Sequence, residues 1–242
     1  MLHLRGRGIA TLAAAGALLV GLSTAHATAI TFTANGTGSD GALSASAAFN
    51  TTAGQLTLTL SNLLATNAFT SSGQAVSDIS FVLSNAPGTF GSTSASGQLG
   101  NITATGLVTY TSGTPTRFLG AGGQGDFTIV GNTVTLEAIG GGQPSEMIAP
   151  SIANGGTFTN ANTGVANFNP YTIGPASFIL NLSGVTANTT ITSANFSFGT
   201  GPDTFLPGTP GGGQPVPEPA SLAIFGAALA GLGLMRKLRK DA

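Results

Sequence analysis

The chain of 242 residues has no cysteine and no tryptophan, and only 6% of its residues are charged. Without cysteine it forms neither disulfides nor thiolate metal sites, so an exported form must depend on its apolar core or on bound ions. Both histidines, His3 and His26, lie near the N-terminus, and no lysine occurs between Thr28 and Pro215. A serine nucleophile in that stretch has no histidine or lysine to act as its base, which excludes Ser/His and Ser/Lys catalysis there.

Positive charge is equally scarce between Thr28 and Pro215, where Arg117 is the sole basic residue against six acidic ones. Phosphate binding requires clustered cations, so we exclude nucleic acid as a partner. We expect Arg117 to form a structural ion pair, with contact to an anionic sugar as the alternative. Zinc, copper and haem lose their usual ligands when histidine and cysteine are missing, which leaves oxygen-ligated hard cations as the candidate metals. No cofactor is indicated.

The first 27 residues have the organisation of a secretory signal peptide. Basic residues near the N-terminus precede an apolar stretch at residues 9–22, and Ala25 and Ala27 form a small-x-small cleavage site. We therefore predict export through the Sec machinery and a mature protein that begins at Thr28. An uncleaved N-terminal anchor is the alternative.

The C-terminal segment, residues 216–242, combines three features in a fixed order: a proline-containing box, an uncharged apolar run from Ala220 to Leu234, and a basic end. The box is Val216, Pro217, Glu218 and Pro219, and the basic residues are Arg236, Lys237, Arg239 and Lys240. The order predicts a single transmembrane helix over residues 220–235, although the apolar run spans only about 22 Å against a hydrocarbon core of about 30 Å. Because lysine and arginine stay on the cytoplasmic side, the domain that precedes the helix should lie outside the cytoplasm.

At these residues the chain resembles the PEP-CTERM proteins of Gram-negative bacteria, whose C-terminal tag has the same three parts. The resemblance covers about a tenth of the chain. It implies recognition by a membrane-embedded exosortase, removal of the tail, and delivery to the outer envelope or an extracellular polysaccharide matrix. The expected partners are therefore the Sec machinery, the exosortase and the inner membrane, with exopolysaccharide as a further candidate. The domain would be periplasmic while the tail anchors it.

Alternation of apolar and hydroxyl-bearing residues predicts β-strands in the stretch between the two targeting segments. The pattern begins at Ile30 and recurs along the chain, whereas no window there has a sustained helical period. The Gly131-Asn132 pair predicts a two-residue hairpin turn between residues 127–130 and 133–136. We predict an all-β ectodomain at residues 28–199, an antiparallel β-sandwich of jelly-roll type, with a β-solenoid as the alternative.

Two segments rich in glycine and proline are predicted to lack strands. Residues 140–156 are expected to form a long loop, and residues 200–215 a linker that holds the domain away from the membrane.

Few residues are candidates for chemistry. Asp126 and Glu137 are predicted to approach each other across the hairpin, and two such carboxylates are what a glycosidase needs. Tyr110 and Tyr171 are the only tyrosines available as sugar platforms, since the phenylalanines are expected to be buried. We therefore expect exposed acids that aid solubility and no enzyme.

Two further binding functions, calcium binding and ice binding, are less favoured. Asp40 and Asp126 lie in glycine-rich loops that could hold calcium, but ordinary turn chemistry is favoured because neither loop has several alternating ligands. Thr-x-Thr pairs, among them those at 31/33, 57/59, 103/105, 133/135 and 157/159, occur at irregular separations, and half-buried strands produce such pairs without ice binding. The sequence thus predicts an exported structural protein of the envelope or of a biofilm matrix. The alternative is a carbohydrate-binding β-sandwich, with or without calcium, and ice binding is less favoured.

Overall fold

Strands dominate the computed structural model, which describes residues 29–120, 124–201 and 204–211. Their bounds are β1 Ile30–Gly38, β2 Gly41–Thr52, β3 Gln55–Asn62, β4 Val76–Leu83, β5 Phe90–Ser96, β6 Leu99–Ile102, β7 Val108–Thr111, β8 Asp126–Val130, β9 Thr133–Glu137, β10 Ile148–Ala149, β11 Tyr171–Ile173, β12 Ala176–Leu182, β13 Ile191–Phe198, β14 Thr204–Pro207 and β15 Thr209–Pro210. Short 3-10 helices occupy Ser72–Gln74, Arg117–Leu119 and Thr163–Phe168. The prediction of an all-β domain is confirmed.

The strands form two sheets. The six-stranded sheet has the order β15-β1-β2-β3-β12-β5, and the nine-stranded sheet has the order β14-β13-β4-β10-β11-β6-β7. In the second sheet β4 also pairs with β9, and β9 pairs in turn with β8. All of the strand pairs described are antiparallel except β10 with β11.

The core lies between the sheets and is built by the predicted alternation. Along β3 the apolar residues are buried while the hydroxyl-bearing residues between them are half-buried, because successive side chains of a strand point to opposite faces. Phenylalanines join the layers: the Phe49 ring of β2 lies 4.8 Å from the Phe81 ring of β4 and 6.0 Å from the Phe32 ring of β1. One hydrophobic cluster includes residues of both sheets. This arrangement is sandwich-like.

The predicted hairpin is present as β8 and β9. Val130 pairs with Thr133, so Gly131 and Asn132 form the whole turn. Gly131 has φ 61, whereas Asn132 is not among the residues with positive φ, which matches a turn that needs glycine only at its first central position. The hairpin fixes the register that places Asp126 opposite Glu137.

The strand connectivity differs from a jelly roll. Strands β1, β2 and β3 follow one another as a meander within one sheet, whereas successive jelly-roll strands alternate between sheets. The predicted loop at 140–156 also contains the short strand β10, whose Ile148 and Ala149 are buried between β4 and β11. Its local composition is that of a loop, and only its nonlocal partners make it a strand.

The domain extends past the predicted boundary at residue 199. Strand β14 pairs with β13, and β15 pairs with β1, so the predicted linker at 200–215 contributes two strands before residue 211. Both are edge strands, where Pro207 and Pro210 are tolerated because an edge does not require every backbone N–H. Glycine and proline content therefore misled the prediction of a linker over this part of the segment.

Candidate functional site

A row of five side chains, four polar and one aromatic, crosses the outer face of the nine-stranded sheet. The strand register pairs Asp126 of β8 with Glu137 of β9, and Glu137 with Asp78 of β4. It continues from Asp78 to Ser197 of β13 and from Ser197 to Phe205 of β14. Since directly opposed residues have Cβ atoms about 4.5–5.5 Å apart, three carboxyl groups lie side by side. We call these five residues the acidic row.

The acidic row borders a groove of about 310 Å³. Four members of the row line the groove: Asp78, Glu137, Ser197 and Phe205. Ser80, Thr135 and Asn195 of the neighbouring row complete the lining. The neighbouring row follows from the same register, because Ser80 pairs with both Thr135 and Asn195. The groove thus combines carboxyl, hydroxyl and amide groups with one aromatic ring.

Asp78 is the most buried acid of the row, with 7% of its surface exposed. Burial, followed by the negative charge of Glu137, raises the pKa of Asp78 to about 7. Its Oδ1 atom is buried without a hydrogen-bond partner, and the Oγ atom of Ser197 is unpartnered in the same way. Such groups are uncommon inside proteins, where buried polar atoms are nearly always hydrogen-bonded.

Glu137 lies between two other acids. Its pKa is raised, first by burial and second by the charge of Asp126. Asp126 is exposed, and its Oδ1 accepts a 2.8 Å hydrogen bond from the backbone N–H of Phe127. The pKa is thus raised at both Glu137 and Asp78, because desolvation and like charge both disfavour a carboxylate.

Phe205 closes one side of the groove with an exposed ring. Its side chain is 61% exposed, whereas the phenylalanines of the sandwich core are almost completely buried. The next residue, Leu206, is half-buried and packs against the core, as strand alternation requires. An exposed ring beside polar groups is the arrangement that suits a ligand with both an apolar and a polar face.

Arg117 does not belong to this site. Its side chain is 4% exposed, and its guanidinium donates to the carbonyl oxygens of Ala138 and Gly140 and to Gln124 and Ser145. Burial lowers the pKa of Arg117, and the charge of Glu146 partly offsets that effect. Its backbone N–H donates to the Glu146 carboxylate at 2.8 Å. These contacts give Arg117 a structural role in holding the 138–146 segment.

The predicted sugar platforms are not the exposed aromatics. Tyr171 is completely buried, and its hydroxyl donates to the Val165 carbonyl at 3.0 Å. Tyr110 is half-buried, and its hydroxyl donates to the Ile152 carbonyl at 2.6 Å. The expectation that the phenylalanines are all buried is wrong for Phe90, which is 42% exposed, and for Phe205, which lies in the predicted linker.

The predicted calcium loops do not form a shared site. Asp40 is exposed in the turn after β1, and Asp126 bonds its own neighbouring backbone, as turn chemistry predicts. Within residues 29–120, 124–201 and 204–211, no group of three or more acidic or histidine side chains is placed to hold one metal ion.

The Thr-x-Thr pairs are dispersed over the two sheets and the loops. Thr31 and Thr33 lie on β1 and Thr57 and Thr59 on β3, but β2 separates them in the sheet. The pair at 133 and 135 lies on β9, in the other sheet, and the pairs at 103/105 and 157/159 lie outside the strands. They do not form one evenly spaced threonine array.

Comparison with known protein families matches residues 215–239 to the PEP-CTERM protein-sorting motif. The chain therefore carries this sorting motif. The motif supports an exported, envelope-targeted protein that is sorted by an exosortase. No curated protein and no solved structure matches the chain. The comparisons therefore support a sorting route for the chain, whereas the groove is known from the structure alone.

Several of the sequence-based predictions fall outside the described residues. They are the signal peptide with its cleavage residues Ala25 and Ala27, the box residues Val216, Pro217, Glu218 and Pro219, the transmembrane helix at 220–235, and the basic residues Arg236, Lys237, Arg239 and Lys240. Within the part that the structure describes, no helix has the length and apolar character needed to cross a membrane.

Sequence reasoning found one half of the acidic row and missed the other. The Asp126–Glu137 approach is predicted from the local hairpin signal, whereas Asp78 and Ser197 join the row through strands distant in sequence. The only local signal for Asp78 is its place in the period-two pattern, on the face opposite Ile79 and Phe81. An acid in an otherwise uncharged strand is the signal that marks such a candidate.

Proposed function

We propose that this is a non-enzymatic, exported protein of the outer envelope or extracellular matrix, where its β-sandwich is a structural component associated with biofilm exopolysaccharide. The sorting motif at residues 215–239 is the observation that supports the proposal. A domain with few charges and many surface hydroxyl groups suits contact with hydrated polysaccharide. The outward hydroxyl-bearing positions of β3, at Thr57, Thr59 and Ser61, are an example.

The proposal is tested by locating the protein in cells that have or lack the exosortase. We expect the protein in the outer envelope or matrix fraction of exosortase-positive cells and in the inner membrane of cells without the enzyme. The same distribution in both strains would contradict sorting through the tail. Extraction of the matrix fraction with a polysaccharide-degrading enzyme should release the protein if exopolysaccharide retains it.

A second candidate function is that of a carbohydrate-binding module. The groove beside the acidic row favours it, because exposed Phe205 lies next to carboxyl and amide side chains. Glycan-array binding tests this candidate directly. Repeating the array with a chelator separates the calcium-dependent form of the proposal, in which binding disappears, from direct contact between sugar and protein.

The proposed lack of enzymatic activity requires its own test, because adjacent carboxyl groups also suit acid–base hydrolysis of sugars. Reducing-end release from polysaccharides should be the same for the parent protein and for the Asp126→Asn, Glu137→Gln double variant, at the level of the buffer alone. Sugar release that the double variant abolishes would show an enzyme and overturn this part of the proposal.

A further inference from the structure

We propose that the groove beside the acidic row binds a neutral polysaccharide, with one sugar ring lying on Phe205 and hydroxyl groups hydrogen-bonded to Asp78 and Glu137. This inference deepens the carbohydrate-binding candidate and rests on it. It assigns the ligand class and the contact residues to one place in the molecule.

The aromatic side of the groove provides the first argument. Phe205 lies on the edge strand β14 and exposes 61% of its side chain, while Leu206 holds the strand against the core. A pyranose ring has an apolar face of C–H groups and a rim of hydroxyl groups. Covering the exposed phenyl face with that apolar face removes apolar surface from water, which favours binding.

The polar side provides the second argument. Asp78 Oδ1 and Ser197 Oγ have no hydrogen-bond partner, and their residues are 7% and 1% exposed. Both residues line the groove, and Asn195 adds an amide beside them. Sugar hydroxyls both donate and accept hydrogen bonds, so a sugar can satisfy carboxyl, hydroxyl and amide groups together. The polar side of the groove therefore matches a ligand rich in hydroxyl groups.

Charge selects a neutral ligand. Directly opposed like charges destabilise a sheet, and Glu137 has an acid on each side. An acidic polysaccharide would add further repulsion. A metal ion is disfavoured because no three acidic side chains of the described residues are placed to hold one. The groove volume of about 310 Å³ is at the lower end of the range for small-molecule sites, about 300–1,000 Å³, which suits a short part of a polymer.

The inference is tested with the protein purified from exosortase-positive cells and with four probes: dextran, a soluble β-glucan, galactomannan and alginate. We expect binding to at least one of the three neutral polymers and none to alginate, which is acidic. Phe205→Ala should weaken neutral binding about tenfold, because it removes the surface on which the ring lies. Glu137→Gln should weaken binding as well, since an amide accepts fewer hydrogen bonds than a carboxylate.

Leu63→Ala is the matched control, because Leu63 is a 50% exposed apolar residue outside the groove. It should leave binding unchanged. Since Phe205 is exposed, Phe205→Ala should fold, and an unchanged melting temperature would verify this. Equal affinity of the Phe205→Ala and parent proteins would overturn the inference, as would failure to bind every neutral polymer. Binding that requires calcium and ignores Phe205→Ala would also overturn it.

Failure of this inference is distinguishable from failure of the proposed function. A protein that reaches the matrix through its tail but binds no neutral polymer would retain the proposed localisation and lose only the groove assignment. A protein that binds a neutral polymer through Phe205 yet is distributed identically with and without exosortase would retain the groove and lose the sorting route.

Discussion

At the scale of single residues, Asp78 gives the domain a pH-dependent stability. Its pKa is raised to about 7 in the folded protein, chiefly by burial, so between about pH 4 and pH 7 the folded state binds a proton that the unfolded state releases. The free energy of unfolding should therefore fall as the pH rises through this window, by up to about 4 kcal/mol. Urea unfolding measured from pH 4 to pH 8 tests this slope.

The Asp78→Asn variant should flatten that dependence, because an amide does not titrate. The matched control is Asp40→Asn, since Asp40 is exposed in a turn, and it should preserve the slope of the parent. Glu137→Gln should shift the fall in stability to lower pH, because the charge of Glu137 raises the pKa of Asp78 and the amide lacks that charge. A shift to higher pH would contradict this effect of Glu137.

Arg117 offers a second test at this scale, on stability and not on binding. Its guanidinium donates to carbonyl oxygens of Ala138 and Gly140, which would be left without these donors in an Arg117→Met variant. We expect a loss of about 2–4 kcal/mol in the free energy of unfolding, because buried acceptors without partners are costly. Arg117→Lys should recover part of the loss, since one ammonium group reaches fewer acceptors. Polysaccharide binding should persist in the folded fraction of both variants, as Arg117 does not line the groove.

At the scale of elements, the β8–β9 hairpin depends on the backbone of Gly131. A side chain at this position would meet no other atoms within 4 Å, so the cost of Gly131→Ala comes from its φ of 61. We expect a loss of about 1–2 kcal/mol in the free energy of unfolding. Gly91→Ala on β5 is the control, because Gly91 lacks a positive φ and an added Cβ has only ordinary contacts. Equal losses in the two variants would contradict the role given to the turn.

Two variants test whether strand β14 belongs to the folded domain or behaves as a linker. Leu206 packs against the core, and a Cβ added at Gly36 of β1 would lie 2.8 Å from its side chain. Leu206→Ala should therefore reduce the free energy of unfolding by about 1–2 kcal/mol, whereas Phe205→Ala on the same strand should change it by less than about 0.5 kcal/mol. Thermal or urea unfolding checks both. Two neutral variants would indicate that this strand adds no stability.

Strand β14 also shows which parts of the fold cannot be predicted from the sequence. Alternation identifies β1, β2, β3, β4 and β13, and the glycine turn identifies the β8–β9 hairpin, because these signals are local. Strands β10 and β14 are short and lie among glycine and proline, so their structure depends on partners from distant parts of the chain. The acidic row follows the same division: its local half, Asp126 and Glu137, is predictable and Asp78 is not.

At the scale of the whole molecule, the β-sandwich domain and the sorting motif occupy separate parts of the sequence. The last described strand, β15, ends at Pro210, and the matched motif begins at residue 215. Few residues therefore connect the sandwich to the box, instead of the longer linker predicted from composition.

The intact mass of the protein tests this organisation. Because Pro217 and Pro219 favour extended backbone in the residues before them, Glu218 should be presented in an open strand that suits an enzyme cleft. We expect protein from exosortase-positive cells to begin at Thr28 and to end near residues 216–219. In a Pro217→Ala, Pro219→Ala variant the helix predicted at residues 220–235 should continue through the box, so the variant should retain the tail and have the mass of residues 28–242. If the parent protein had that longer mass, or if cells without exosortase released the shorter one, processing at the box would be contradicted and the search for function would move to partners at the inner-membrane surface.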